Sequence, residues 1–283
     1  MITSGSIKRV REASRRHQQK GELIGFVPTM GALHKGHLSL VKRAREECDF
    51  LVVSIFVNPT QFGPKEDYCR YPRNLSQDKR LLEKEGVDLL FSPNVNNIYP
   101  SGVSVYVDEG SLSKLLCGRP RPGHFRGVVT ILTKLFNIIE PDIVYFGQKD
   151  YQQTRIVKRL IDDLNFSLRL RVSPIIREED GLAMSSRNVC LDSYDRDDCG
   201  CLYEALSLAR KLIREGCRNS QKVIDQMKQV VKSKKLAKIN YIAIVDADNL
   251  KRLTRIRGKV LIALAVYIKK VRLIDNIILN VKG

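Results

Sequence analysis

No stretch of this chain approaches the roughly 20 apolar residues that a membrane-spanning helix requires. The longest candidate, Val260 to Ile268, has the length of a strand and is flanked by lysine and arginine. The first residues, Met1 to Gly21, lack the apolar run of a secretory signal and read as a polar, arginine-bearing surface helix. A cytoplasmic protein with no membrane partner is the expectation. The seven cysteines form no C-x-x-C pair. An odd number at irregular spacing argues for reduced thiols, against both a disulfide framework and a zinc centre. Cys199 and Cys201 are separated by a single residue, a poor spacing for zinc. There is also no internal repeat, no low-complexity linker and no basic–aromatic signature of an RNA-recognition module.

What remains is a chain of 283 residues, 43% hydrophobic and 7% aromatic, enough for one large domain and a smaller one. Its formal net charge is +18. Such an excess attracts polyanions. The basic residues are nevertheless spread along the chain, with short clusters at Lys8, Arg9, Arg11, Arg15, Arg16 and at Lys232, Lys234, Lys235. We read them as a solvated basic surface and expect no nucleic-acid partner.

Along the first two thirds, apolar β-rich runs alternate with helical periodicity. Leu23–Val27 predicts a strand ending at Pro28, and Lys35–Cys48 a helix with Leu38, Val41 and Ala44 on one face. Phe50–Val57 is apolar and β-branched almost throughout, as befits a strand buried on both faces of a parallel sheet. A helix over Leu75–Glu85, strands at Val87–Phe91 and, at an edge, Val103–Val107, a helix over Val128–Ile139, a strand at Ile143–Phe146, a helix over Tyr151–Leu164 and a strand at Leu168–Ile176 complete the series. Such alternation predicts an α/β fold, a Rossmann-like doubly wound parallel sheet, with ligands beyond the carboxyl ends of its strands. The pattern then changes. A helix from Asp192 to Glu215, capped by Asp192 with Asp195, a second over Lys222–Lys232, and strands at Tyr241–Val245, Val260–Ile268 and Val271–Leu279 predict a smaller C-terminal α+β domain, the last two strands forming a hairpin. We divide the chain at residues 1–180 and 181–283, the second serving as a lid.

The strongest motif is Pro28-Thr29-Met30-Gly31-Ala32-Leu33-His34-Lys35-Gly36-His37, between the first strand and the first helix. Gly31 and Gly36 allow close backbone approach to a ligand. His34 and His37, three apart at a helix start, project to one side, where free N–H groups and the helix dipole already favour an anion. Ordinary helix-cap histidines are the competing reading, and their place at the ligand edge of the sheet favours function. Asn58 and Gln61 follow the second long strand, as neutral groups suited to a hydroxyl or carboxylate. Gly147-Gln148-Lys149-Asp150 ends another strand, with Lys149 able to neutralise phosphate and Gln153 one helical step on. Met184-Ser185-Ser186-Arg187-Asn188 offers hydroxyls, amides and a guanidinium to a phosphate. His124, in Arg121-Pro122-Gly123-His124-Phe125, reads as a residue that orders its own loop.

With these loops in place, the sequence resembles the pantothenate synthetase (pantoate–β-alanine ligase) family of the HxGH nucleotidylyltransferase superfamily. PTMGALHKGH, FVNPTQF, YPRN, RPGHFRGV, FGQKDYQQ and MSSRN occur in the family's order between Pro28 and Asn188, and Arg272-Leu273-Ile274-Asp275-Asn276 resembles its closing strand. The resemblance implies ATP-dependent joining of pantoate to β-alanine through a pantoyl adenylate, giving pantothenate, AMP and diphosphate. It implies an ATP site of Met30, Gly31, Ala32, Leu33, His34, Lys35, Gly36, His37, Gly147, Gln148, Lys149, Asp150, Ile176, Met184, Ser185, Ser186 and Arg187. His37 would be the proton donor, His34 and Lys149 its catalytic companions. Gln61 and Gln153 would hold pantoate, and Gln61 also β-alanine. Mg²⁺ is expected with ATP, and a homodimer is implied. Asp78, after YPRN, is a candidate for the metal, with a solvated helix position as the alternative. Gln148 stands where some members of the family carry glutamate. A nucleotidylyltransferase acting on a phosphate, an RNA-binding relative of the fold and a silent structural protein are the rival readings.

Overall fold

The computed structural model describes residues 1–64 and 66–282, the side chains of Ser193 and Tyr194 excepted. Two compact units emerge, one made of Met1–Lys114, Gly118–Gln148 and Gln153–Pro174, the other of Leu115–Cys117, Lys149–Gln152 and the chain from Ile175 onward.

The first unit contains β1 (Ile2–Ser4), α1 (Ile7–Gln18), β2 (Ile24–Thr29), α2 (Lys35–Glu47), β3 (Phe50–Ile55), α3 (Leu75–Lys84), β4 (Leu89–Phe91), α4 (Val95–Ile98), α5 (His124–Ile139), β5 (Ile143–Gly147), most of α6 (Tyr151–Asp163) and β6 (Arg169–Ser173). Its six strands are all parallel, in the order β1-β4-β3-β2-β5-β6. Every residue of β3 is buried, which explains its unbroken apolar run. Leu40, Val41 and Ala44 of α2 pack on the sheet's core with Val27, Leu51, Val53 and Tyr145. From β2 the chain winds one way to β3 and β4, then returns to β5 on the opposite flank. The loop after β2 therefore starts at the topological switch point, where a doubly wound sheet opens its ligand crevice.

The structure departs from the sequence reading in several places here. The strands expected over Val87–Phe91 and Leu168–Ile176 are trimmed to Leu89–Phe91 and Arg169–Ser173. The short α4 had no periodicity to announce it, and four further differences have a local cause. The strand β1 was too short to show as a pattern. β2 runs through Pro28 to Thr29, since β5 pairs only with Gly25 and Phe26 and asks no ladder bond of Pro28. α5 begins at His124, four residues before its clear periodicity, with Gly123 in the left-handed region as its cap. Val103–Val107 is not a strand: Val105 is 79% exposed, and the Thr130 hydroxyl receives the Val107 N–H and donates to its carbonyl in place of a neighbouring strand.

In the second unit, α7 (Ser193–Cys199), α8 (Cys201–Arg214) and α9 (Ser220–Lys232) pack with β7 (Ala237–Asp246), β8 (Gly258–Ile268) and β9 (Val271–Val281), an antiparallel sheet of three strands in that order. The helix expected over Asp192–Glu215 is two helices, broken at Gly200, while the reciprocal cap between Asp192 and Asp195 is present. The hairpin turns through Lys269 in the left-handed region. Leu202, Leu206, Val223, Met227, Ile262 and Leu264 form the core. Cys199 and Cys201 lie within it, and burial pushes their thiols up to about 11 and about 12, so both are neutral at physiological pH. All seven cysteines are free thiols. Among the described residues no helix is long and apolar enough to cross a membrane.

Candidate active site

The loop between β2 and α2 takes its shape from two consecutive left-handed residues, Gly31 at φ 82° and Ala32 at φ 50°. Alanine reaches that region at a cost of about 1–2 kcal/mol, so something must hold it there. Asp78, on α3, does so: its two carboxylate oxygens accept the N–H groups of Ala32 at 2.9 Å and Leu33 at 2.8 Å. The residue is 2% exposed. Burial pushes its carboxyl above the ordinary aspartate range, opposed by those two hydrogen bonds. Asp78 is thus neither a solvated helix residue nor an open carboxylate awaiting a cation. Among the described residues no cluster of three or more His, Cys, Asp or Glu side chains is placed to hold a metal.

Past that clamp, His34 caps α2, its Nδ1 accepting the Gly36 N–H at 3.1 Å. An accepting Nδ1 leaves the neutral ring's proton on Nε2. His37 follows on the first turn, and the two ring centroids lie 4.1 Å apart. The sequence spacing therefore does bring both imidazoles together.

Asn58 precedes, and Gln61 ends, a short helical turn after β3. Asn58 is 1% exposed, and its amide is fully used by the protein. Its nitrogen donates to Gln61 Oε1 at 3.1 Å and to the Gly127 carbonyl at 3.0 Å, while its oxygen accepts from Thr60 at 3.0 Å and Tyr99 at 2.9 Å. Those four bonds are all an asparagine side chain can make. Gln61 is anchored in turn, its Nε2 reaching the Met30 sulfur at 3.2 Å. The amide thereby joins the β3 turn to the β2 loop. Gly147 closes β5, Gln148 opens the turn that follows, and Gln153 sits half-buried on α6.

The second unit holds the other expected residues. Ile176 accepts the Met184 N–H at 2.9 Å, and Arg177 bridges to Ala183, so the chain doubles back and brings Met184 beside Ile176. Ser185 caps the turn through the Arg187 N–H. Lys149 approaches Asp150 at 3.4 Å, and its carbonyl accepts the Asn276 amide at 2.9 Å. Arg177 forks onto Asp275 at 2.5 and 2.9 Å. Burial pushes the Asp275 carboxyl up against the opposing pull of that guanidinium.

Sequence reasoning missed the holding role of Asp275 and Asn276. Two polar residues interrupting the apolar strand Leu273–Leu279 were the available signal, since a strand buries such groups only when they are bonded. Nothing in the sequence joins Glu66 to Arg121, yet the two form a fork at 2.6 and 2.7 Å. The reading of His124 as a residue that orders a loop fits its position, although the loop it meets is that of Gln61, at 2.8 Å.

Comparison with known proteins gives this geometry a family. The model of the family described as pantoate-beta-alanine ligase matches residues 3–278. A pantothenate synthetase of Fervidobacterium nodosum is 54% identical over 275 residues, 97% of this chain and 98% of that one. One of Caldicellulosiruptor bescii is 46% identical with 100% of both chains covered. Among solved structures, pantothenate synthetase of Thermus thermophilus superposes with a TM-score of 0.93 at 43% identity, covering 98% of this chain and 99% of that one. Pantoate-beta-alanine ligase of Francisella tularensis, solved with a β,γ-ATP compound and β-alanine, gives a TM-score of 0.80 at 38% identity, covering 98% and 97%. A likeness that runs from the first strand to the last, with the motif loops at the strand ends, leaves one conclusion: the chain belongs to the pantoate–β-alanine ligase family.

Proposed function

We infer that this chain joins pantoate to β-alanine at the expense of ATP. The pantoate carboxylate attacks the α-phosphorus, diphosphate leaves, and the pantoyl adenylate is taken by the β-alanine amine with release of AMP. The observation that carries the reading is the pair of imidazoles 4.1 Å apart at the switch point of the sheet. Carboxylate and amine are themselves the nucleophiles, so the protein needs only to position them and to stabilise phosphoryl charge.

In that scheme His34 offers its Nε2–H to the transferring phosphoryl group, and His37 supplies the proton donor. Met30 to His37, with Gly147 to Asp150, Ile176 and Met184 to Arg187, is assigned to the nucleotide. Gln61 and Gln153 are assigned to pantoate, Gln61 also to β-alanine. Asn58, whose bonds are all internal, takes the part of holding Gln61. Mg²⁺ enters as the counterion of ATP, a hard cation that keeps several waters and takes phosphate oxygens. Residues 181–283 serve as the lid that keeps water from the adenylate. The enzyme works as a cytoplasmic homodimer.

Pantoate-dependent exchange of diphosphate into ATP tests the first step alone. Wild type is expected to exchange, and His34→Ala or His37→Ala to slow exchange about 10²–10³-fold with the fold kept, the loss typical of one preorganised donor. Exchange at the wild-type rate in either variant would refute the phosphate role of that imidazole.

A further inference from the structure

We propose that Glu66, Arg121 and His124 form a positioning relay that fixes the Gln61 main chain, and through it the amide assigned to pantoate. The proposal rests on that assignment of Gln61. The His124 ring lies between two partners, with Nδ1 at 2.8 Å from the Gln61 carbonyl and Nε2 at 2.9 Å from Arg121 Nη1. A guanidinium can only donate. Nε2 must therefore accept, the proton of the neutral ring sits on Nδ1, and that N–H donates to the Gln61 carbonyl. Arg121 is itself aimed by Glu66, whose oxygens take Nε at 2.6 Å and Nη2 at 2.7 Å. One carboxylate thus orients the guanidinium, the guanidinium selects the imidazole tautomer, and the imidazole grips one carbonyl.

At Gln61 the two ends of the residue are held separately. His124 holds the main chain, while Asn58 and Met30 hold the side chain. His124 is 9% exposed and opens α5, so its ring stands on a rigid element. A charged pair and a histidine are a poor choice for mere stability, because apolar residues of like volume often stabilise as well or better. What apolar residues do not provide is a donor at one fixed point beside a substrate-binding amide.

The test compares His124→Asn, His124→Gln and His124→Phe for pantoate KM, ATP KM, kcat and thermal midpoint, with Gln61→Ala alongside. The asparagine amide falls where Nδ1 was, the glutamine amide where Nε2 was, and phenylalanine keeps shape without a donor. We expect His124→Phe and His124→Gln to raise pantoate KM about five- to tenfold, the worth of one hydrogen bond. ATP KM should stay within about twofold, and His124→Asn should return pantoate KM close to wild type. Equal impairment by asparagine and glutamine, or an unchanged pantoate KM in His124→Phe, overturns the relay. Should His124→Phe not fold, Glu66→Gln, which loosens Arg121 without touching Gln61, must raise pantoate KM in the same direction, and no rise overturns the relay. An unchanged pantoate KM in Gln61→Ala overturns instead the assignment on which the relay rests.

Discussion

Replacing Gly127 by alanine sets two calculable effects against each other. Gly127 lies in the first turns of α5, so the backbone itself accepts a side chain, and an alanine in a helix is worth about 1 kcal/mol over glycine. The added methyl, however, would meet the loop carrying Gln61, closest to the Thr60 carbonyl oxygen, with the carbonyl carbon at 2.5 Å and the Gln61 nitrogen at 2.6 Å. Carbon atoms pack at about 3.5–4.0 Å, so loop or helix must yield by roughly 1 Å. Overpacking of this kind costs about 1–3 kcal/mol, which the helix gain offsets in part. The net loss of stability should be about 2 kcal/mol, a fall in Tm of several degrees. A 1 Å displacement of a substrate-holding loop can nonetheless cost about 10²-fold in rate, and Asn58 and Gln61 both ride on this loop. The expected signature is a folded enzyme whose kcat/KM for pantoate falls about 10²-fold, measured by steady-state AMP release, with a modest change in melting. Near-wild-type kcat/KM would refute the argument that this contact sets the geometry of the Gln61 turn.

Two more outcomes follow from the ion pairs. Burial draws the Glu66 carboxyl upward, but the hydrogen bonds and charge of Arg121 outweigh it, and the carboxyl sits below its ordinary range. A lowered folded value means stability present above the unfolded pKa of about 4.3 and lost as pH falls through the folded one. The difference in Tm between wild type and Glu66→Gln should therefore be constant from pH 7 to about 5 and close on further acidification; a gap that widens in acid contradicts the assignment. In the second unit, Asp275→Ala leaves Arg177 without its carboxylate. Removal of one partner from a buried pair costs about 3–5 kcal/mol, and since Arg177 remains 20% exposed the lower end applies. Urea unfolding should show that loss, and a variant as stable as wild type would mean that the pair contributes nothing.

The centre of the sheet was legible because β3 and β5 are short apolar runs between helices of clear period, as in Phe50–Ile55 beside α2. The loops proposed for the site drew attention for a different reason: in a doubly wound sheet the carboxyl ends of strands are the ligand edge, and these polar motifs follow strands. What could not be read were partnerships between distant residues. Asp78 looks from sequence like any helical aspartate, and only its placement under Ala32 and Leu33 shows that it holds the loop. Val103–Val107 has the composition of a strand, but composition does not create a neighbour, and a threonine hydroxyl takes the Val107 amide instead. The break at Gly200 was invisible to periodicity because Cys199 and Cys201 on either side both enter the same core.

Asn58, Asp78, His124 and Asp275 are each nine-tenths or more buried, and they share a logic. A buried polar group left unpaired costs about 1–3 kcal/mol, so each persists only because its partners are in place, and each partner set includes a backbone group. Asp78 takes two amides of the β2 loop, His124 the Gln61 carbonyl, Asn58 the Gly127 carbonyl, and Asp275 the Asn276 amide. The β2 loop held by Asp78 and the Gln61 turn held by His124 cannot relax toward a lower-energy shape without breaking those bonds. That is how Ala32 is kept in a left-handed conformation it would otherwise leave. The groups proposed to meet substrate can then be few and neutral, and of these the His34 ring and the Gln61 amide are already held by the protein's own bonds. Preorganisation of this sort costs nothing at the moment of reaction, which is what the proposed mechanism, with carboxylate and amine as its nucleophiles, requires of the protein.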